Sequence, residues 1–202
     1  MKNNLLKLYL AMAIGDGYIS KSGNLSVLHC SEQKEYLEWK YNLIKKYDTS
    51  QGITYKNNNG YDSYFFTTSV NKRLKFLRLI LYTPNKHLTK KLLSKLDPLG
   101  LAIWYMDDGC LMPRFNSTTG KLKRCEMYIN TCLSKEENQE IIDFFKEKYN
   151  ITFSHNLNHG KYRLRCGTKE ARKFAAIIKP YVKEVQCMHY KLKYLFPNYT
   201  LD

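Results

Sequence analysis

The chain has 202 residues and carries 33 lysines and arginines against 18 aspartates and glutamates, a formal net charge of +15. Its length suits one sizeable domain or two small units that share a core. A positive excess of this size repels itself in a compact chain, so it indicates a polyanionic partner, with nucleic acid as the first candidate. An acidic membrane surface is disfavoured, because no basic helix with a bulky apolar face stands out.

Two features of the sequence limit where and how the protein works. Residues 1–13 imitate a signal peptide, but Lys7 interrupts the apolar stretch and a similar segment recurs at 101–109. No run approaches the roughly 18 apolar residues that span a bilayer. None of the six cysteines forms a C-x-x-C pair, which argues against a zinc finger. We therefore expect a soluble, intracellular protein with reduced cysteines. Mitochondrial, plastid, bacterial and phage origins all fit this expectation.

In chain order, the apolar periodicity predicts the same seven elements twice. The first unit is predicted to have helices at 5–14, 32–47 and 71–82, with hairpins at 18–31 and 53–68. The second is predicted to have helices at 99–106, 134–149 and 169–178, with hairpins at 110–133 and 151–166. Ser134 and Glu137 form a capping-box pattern, and Pro180 is expected to end the last helix. The repetition predicts two αββαββα units, residues 1–97 and 98–202, in an α+β fold with pseudo-twofold symmetry.

The first helix of each unit ends in Asp-Gly. Residues 10–17 read L-A-M-A-I-G-D-G, and residues 101–109 read L-A-I-W-Y-M-D-D-G. A carboxylate is normally disfavoured at the C-terminal end of a helix, where the helix dipole places partial negative charge. A divalent cation held between Asp16 and Asp108 would offset that repulsion. Small residues such as Ala11, Ala13 and Ala102 would let the two helices approach closely.

These two segments resemble the LAGLIDADG motif of the homing endonucleases. The second segment is close to the L-A-x-W-x-M-D-D-G form found in the branch that resembles the yeast mitochondrial intron-encoded endonucleases. The first departs from the family name at Tyr9 and Gly15. The resemblance implies a monomer with both motifs in one chain, and it places the motif helices at the interface between the units. It also implies that the antiparallel sheets form a saddle on double-stranded DNA.

The resemblance further implies Mg²⁺-dependent phosphodiester hydrolysis, with Mn²⁺ as a substitute. Asp16 and Asp108 would be metal ligands, and main-chain oxygens at Gly15 and Asp107 can join them. Asp107 adds a carboxylate without a counterpart at Gly15, so we expect the two cleavage sites to differ in metal affinity or rate. The family also places a catalytic lysine late in each half. Lys86 and Lys191 match these positions. Lys90, Lys91 and Lys193 lie nearby in the sequence and are alternative candidates for the same role.

Side chains that alternate along the predicted strands would provide the DNA contacts. Arginine and lysine suit guanine edges, and asparagine suits adenine, although many such contacts reach only phosphates. In the first unit the candidates are Ser20, Asn24, Ser26, His29, Lys56, Asn58 and Tyr64. In the second they are Arg114, Lys121, Lys123, Arg124, Glu126, Tyr128, Asn130, His155, Asn156, Lys161, Arg163 and Arg165.

The leading hypothesis is therefore a monomeric homing endonuclease that cuts both strands of a long, partly asymmetric site and leaves short 3′ overhangs. Two alternatives use the same fold. An RNA maturase would bind its host intron RNA, and a DNA-binding regulator would bind without cutting. Because a regulator would tolerate loss of the acids, the presence of Asp16 and Asp108 favours the nuclease.

Overall fold

Two four-stranded antiparallel sheets, each backed by helices, make up the protein. A computed structural model of the chain describes residues 2–47, 52–82 and 85–196. The strand order is β1-β2-β4-β3 in sheet 1 and β5-β6-β8-β7 in sheet 2, so both sheets have the same topology. The predicted α+β class with two αββαββα units is confirmed. The division of the chain between residues 97 and 98 stays a prediction.

The first unit follows the predicted order of elements. Its helices and strands are α1 (Lys2–Ile14), β1 (Tyr18–Ile19), β2 (Leu25–Cys30), α2 (Lys34–Ile44), β3 (Thr54–Asn58), β4 (Tyr61–Thr67) and α3 (Lys72–Leu81). Short 3₁₀ turns flank α2 and account for the longer helix predicted there. The β3–β4 turn is closed by Asn59 and Gly60, both with positive φ, as in the turns that favour Asn-Gly.

The second unit repeats the arrangement after a short helix, α4 (Lys90–Leu93). Its elements are α5 (Pro98–Asp108), β5 (Gly109–Phe115), β6 (Leu122–Ile129), α6 (Lys135–Tyr149), β7 (Ser154–Asn158), β8 (Lys161–Cys166) and α7 (Thr168–Val182). The capping box of Ser134 and Glu137 is present at the start of α6. His159 and Gly160, again with positive φ, close the β7–β8 turn.

Two predicted helix ends were wrong. Helix α5 was expected to stop at about residue 106, yet it continues through Asp107 to Asp108. Helix α7 was expected to stop before Pro180, yet it continues to Val182. Proline lacks only one hydrogen bond there, and burial of Ile178 and Val182 against the core holds the last turn in place.

Helices α1 and α5 pack against each other in the centre of the core. Tyr9, Ala11, Met12 and Ala13 of α1 have no exposed surface, and residues 101–106 of α5 are buried as well. Gly100 also lies close to Ala11, since a Cβ added there would be 3.5 Å from the Ala11 Cβ. The six cysteines are free. Within the described residues, no helix combines the length and apolarity needed to cross a membrane.

Candidate active site

The C-terminal ends of α1 and α5 meet at Gly15 and Asp107. The main-chain N–H of Asp16 donates to Oδ2 of Asp107 at 3.1 Å. A Cβ at residue 15 would lie 2.7 Å from the Cβ and Cγ of Asp107, and nearer still to its Oδ2. Only glycine therefore fits at residue 15 with this packing, which explains why the first motif departs from the family name there.

The side chain of Asp107 is fully buried and already paired. Its Oδ1 accepts hydrogen bonds from the Lys40 Nζ at 2.5 Å and from the Tyr36 hydroxyl at 2.8 Å. Lys40 is buried too, and its Nζ lies 3.0 Å from Nε2 of His29. Removing either partner of a buried ion pair leaves the other charge buried without compensation, so such a change strongly destabilises the protein.

Asp16 and Asp108 are the other two carboxylates at this junction, and Asp108 is partly buried. The Asp16 side chain is 42% exposed. Asp108 accepts a hydrogen bond from Nε1 of Trp104 at 3.0 Å. Burial, reinforced by the negative charge of Asp107, raises the pKa of Asp108 to about 7. Burial, and to a lesser extent the negative charge of Asp107, also raises the pKa of Asp16. Burial therefore disfavours the charged form of both carboxylates.

The two lysines predicted to be catalytic lie at this junction. Lys86 donates to the carbonyl oxygen of Gly15 at 2.8 Å, and Lys191 donates to that of Gly109 at 2.6 Å. Burial lowers the pKa of both lysines, and nearby aspartates oppose the shift. Lys86 binds just before Asp16 and Lys191 just after Asp108, so the two contacts are not symmetric. Lys90, an alternative candidate for the catalytic role, instead forms an ion pair with Glu147 at 2.6 Å.

Oxygen ligands at the junction suit a hard divalent cation such as Mg²⁺. Asp16, His29 and Asp107 form a second possible set of metal ligands. One donor atom from each of these residues lies within 4.8 Å of the other two. The Lys40 ammonium contacts both His29 and Asp107, so a cation there would meet a fixed positive charge. The donor set therefore favours the carboxylates of Asp16 and Asp108 over that of Asp107, and the main-chain oxygen of Gly15 already accepts a hydrogen bond from Lys86. The ligand roles of all four predicted residues stay predictions.

Sequence reasoning missed the residues that support Asp107. Tyr36 and Lys40 lie on the buried side of α2, and His29 was assigned to DNA instead. A signal was present for one of them, since Lys40 falls on the apolar stripe formed by Tyr36, Leu37 and Ile44. A lysine on such a stripe indicates a buried acidic partner.

Strand register decides which predicted DNA contacts share the exposed face of sheet 1, the side away from the helices. Ser26 and Lys56 lie on it, and the prediction for Asn58 falls on a side chain outside the described part of the structure. Ser20 and Asn24 bond to each other at the β1–β2 turn. The assignments of His29 and Tyr64 to DNA do not fit, because both face the helices with Phe66.

In sheet 2 most of the predicted contacts lie on the corresponding exposed face. The register places on it Arg114, Arg124, Glu126, Tyr128, Asn156, Lys161, Arg163 and Arg165. Lys121 and Lys123 lie exposed at and beside the β5–β6 turn. Asn130 is exposed, but its side chain bonds to the carbonyl of Asp108 at 3.1 Å. His155 does not fit, since it faces α6 and contacts Gln139 at 3.0 Å.

Comparison with known proteins identifies the family. The model of the LAGLIDADG DNA endonuclease family matches residues 11–174. The chain belongs to the LAGLIDADG DNA endonuclease family. Its motif helices are α1 and α5, whose ends form the junction described above.

The individual relatives that match this chain are distant in sequence. The DNA endonuclease I-ChuI of Chlamydomonas applanata is 27% identical over 195 residues, covering 87% of this chain and 86% of that protein. Protein RecA of Mycobacterium gastri is 28% identical over 201 residues, covering 92% of this chain and 46% of that protein. The chain thus spans about half the length of the RecA relatives that it matches.

Among solved structures, the homing endonuclease I-WcaI bound to its DNA recognition sequence is similar to this chain. The TM-score is 0.76 at 22% identity, and the match covers 94% of this chain and 86% of that one. At this identity the likeness shows the fold. Both LAGLIDADG units are included in the match.

Proposed function

We propose that the chain is a monomeric homing endonuclease that cuts both strands of a long, partly asymmetric DNA site. The observation that carries the proposal is the junction of the motif helices, where Asp16, Asp108, Lys86 and Lys191 converge. The net charge of +15 and the basic exposed face of sheet 2 support a polyanionic substrate. I-ChuI, a DNA endonuclease, and I-WcaI, bound to DNA, are similar over most of their lengths.

In this proposal each motif aspartate serves one strand. Asp16 and Asp108, with main-chain oxygens at Gly15 and Asp107, would hold Mg²⁺ or Mn²⁺. A bound divalent cation supplies charge neutralisation at the scissile phosphate and a bound water of lowered pKa. Trp104 fixes the orientation of the Asp108 carboxylate through its indole N–H. Lys86 and Lys191 place positive charge beside the two helix ends, where negative charge develops in the transition state.

The buried pair of Lys40 and Asp107 makes the two halves unequal. Asp107 lies in the last turn of α5, whereas Gly15, directly after α1, offers no matching carboxylate. Lys40 and Tyr36 fix one side of the junction only. We therefore expect the two strands to be cut at different rates, with a nicked intermediate. The two domains at 1–97 and 98–202 would each contact one half of the site.

The test uses a plasmid that carries the intron-free junction of the host gene. The purified chain should linearise it with Mg²⁺, and chelation of the metal should stop cleavage. Asp16→Asn and Asp108→Asn should each abolish double-strand cutting while binding remains tight. Asp143→Asn, an exposed aspartate on α6, is the matched control and should cut like the wild type.

Full double-strand cleavage by either motif variant would contradict the assignment of these acids. A chain that binds the host intron RNA tightly and never cuts DNA would favour the maturase alternative. Tight, selective DNA binding without cleavage in any divalent metal would favour the regulator.

A further inference from the structure

The exposed faces of the two sheets differ sharply in chemistry. Both faces belong to four-stranded sheets of the same strand order. On sheet 1, Lys56 is the only charged residue among the described strand side chains that share the face. On sheet 2, the register brings together five cationic side chains and one acid: Arg114, Arg124, Lys161, Arg163, Arg165 and Glu126.

The centre of the sheet 1 face is a row of methyl-bearing and aromatic side chains. Leu28 pairs with Phe65, and Phe65 pairs with Thr54, so the row crosses three strands. Leu28 is 46% exposed. Beside this row, the hydroxyls of Ser26 and Thr67 bond to each other at 2.9 Å. Exposed apolar surface of this kind is unusual on a strand face that only water covers.

Two arginines on the exposed face of sheet 2, Arg163 and Arg165, are held in place by neighbouring side chains. Arg163 donates from Nε to Oδ1 of Asn156 at 2.7 Å, and its guanidinium lies 4.1 Å above the ring of Tyr128. Arg165 pairs with Glu126, which also accepts a bond from the Tyr128 hydroxyl at 2.9 Å. In the described part of the chain, these contacts leave terminal N–H groups of both guanidinium groups unbonded.

The major groove of DNA offers a different partner to each face. Guanine presents two acceptors, N7 and O6, that match the paired N–H groups of arginine, whereas thymine presents a methyl group to apolar side chains. An arginine already fixed by neighbours loses less side-chain entropy when it binds. Apart from Lys56, the described strand side chains of the sheet 1 face carry no charge, so this face offers guanine far fewer donors than sheet 2 does.

We propose that the two units read chemically different half-sites. Sheet 1 selects A·T pairs through contacts of Leu28, Phe65 and Thr54 with thymine methyl groups. Sheet 2 selects guanines through Arg163 and Arg165, with Glu126 and Asn156 as positioning residues. This inference rests on the proposed function and specifies the substrate, a site that is A·T-rich in one half and contains guanines in the other.

The test is a binding selection from a random duplex library in Ca²⁺, followed by sequencing, with the full chain and four variants. The wild type should enrich sites with thymines in one half and guanines in the other. Leu28→Ser should flatten the preference in the A·T half alone. Arg163→Met should flatten at least one guanine position in the other half by about tenfold. Leu157→Ser and Arg73→Met are the matched controls, because neither residue lies on an exposed sheet face, and both should keep the wild-type profile.

Three outcomes would overturn the inference. Guanine preferences in both halves would show that sheet 1 does not select A·T pairs. A profile unchanged by Leu28→Ser and by Arg163→Met would show that these side chains do not read bases. Absence of any enriched sequence would overturn both this inference and the proposed function. The first two outcomes would overturn this inference alone, because a sequence would still be enriched.

Discussion

Gly15→Ala should destabilise the protein, because the two motif helices leave no room for a methyl group at residue 15. The new Cβ would lie 2.7 Å from the Cβ and Cγ of Asp107, about 1 Å inside ordinary carbon–carbon contact. Such overpacking costs about 1–3 kcal/mol. Separating the helix ends would also break the bond from the Asp16 N–H to the Asp107 carboxylate, a further ~1.5–3 kcal/mol. Reduced entropy of the unfolded chain offsets about 0.4–1 kcal/mol.

The net loss should be about 2–5 kcal/mol of the free energy of unfolding, measured by urea denaturation and circular dichroism in metal-free buffer. Gly167→Ala is the control: nothing lies within 4 Å of a Cβ there, and its φ of −79° suits alanine. That change should cost less than about 1 kcal/mol. A Gly15→Ala protein as stable as the control would refute the close contact of the helix ends.

The same substitution should impair cleavage in the fraction that folds. A displacement of about 1 Å moves Asp16 away from its position beside Asp107, and misplacement of this size costs on the order of 10²-fold in rate. Single-turnover cleavage with saturating DNA measures this. An unchanged rate would mean that the position of Asp16 does not depend on residue 15.

Three further predictions concern charge and assembly. Lys86→Met and Lys191→Met should each lower single-turnover cleavage by roughly 10²–10³-fold with little loss of binding, and wild-type rates at saturating DNA would rule out their catalytic roles. Because the folded pKa of Asp108 is about 7, above its ordinary value of 3.8, its contribution to stability is fully present below pH 4 and is lost as the pH rises through 7. Metal-free urea denaturation should therefore show the wild type losing stability relative to Asp108→Asn between pH 4 and 7, whereas a constant difference would contradict the raised pKa. Sedimentation should find one chain per DNA site, and an obligate dimer on DNA would exclude the single-chain arrangement.

The fold class followed from the sequence because its signals are local. Periodicity, turn residues such as Asn59 and Gly60, and the capping box at Ser134 act within a few residues of one another. The Asp-Gly ends of the two motif segments likewise predicted a junction between the units. The helix ends at Asp108 and Val182 could not be predicted in this way, because packing of each last turn against the rest of the molecule decides them.

Tertiary structure alone decided how the junction is organised. Lys40 is 67 residues from Asp107 in sequence, and Tyr36 is 71 residues away, yet both bond to its carboxylate. No local pattern identifies Asp107 as the acidic partner of Lys40, because the two residues meet only when the chain has folded. In the structure, His29, Tyr64 and His155 lie on the helix-facing sides of the sheets. Strand register decides on which side of a sheet each side chain lies. The sequence by itself thus determined the elements and their chemistry, and long-range packing decided which side chains meet.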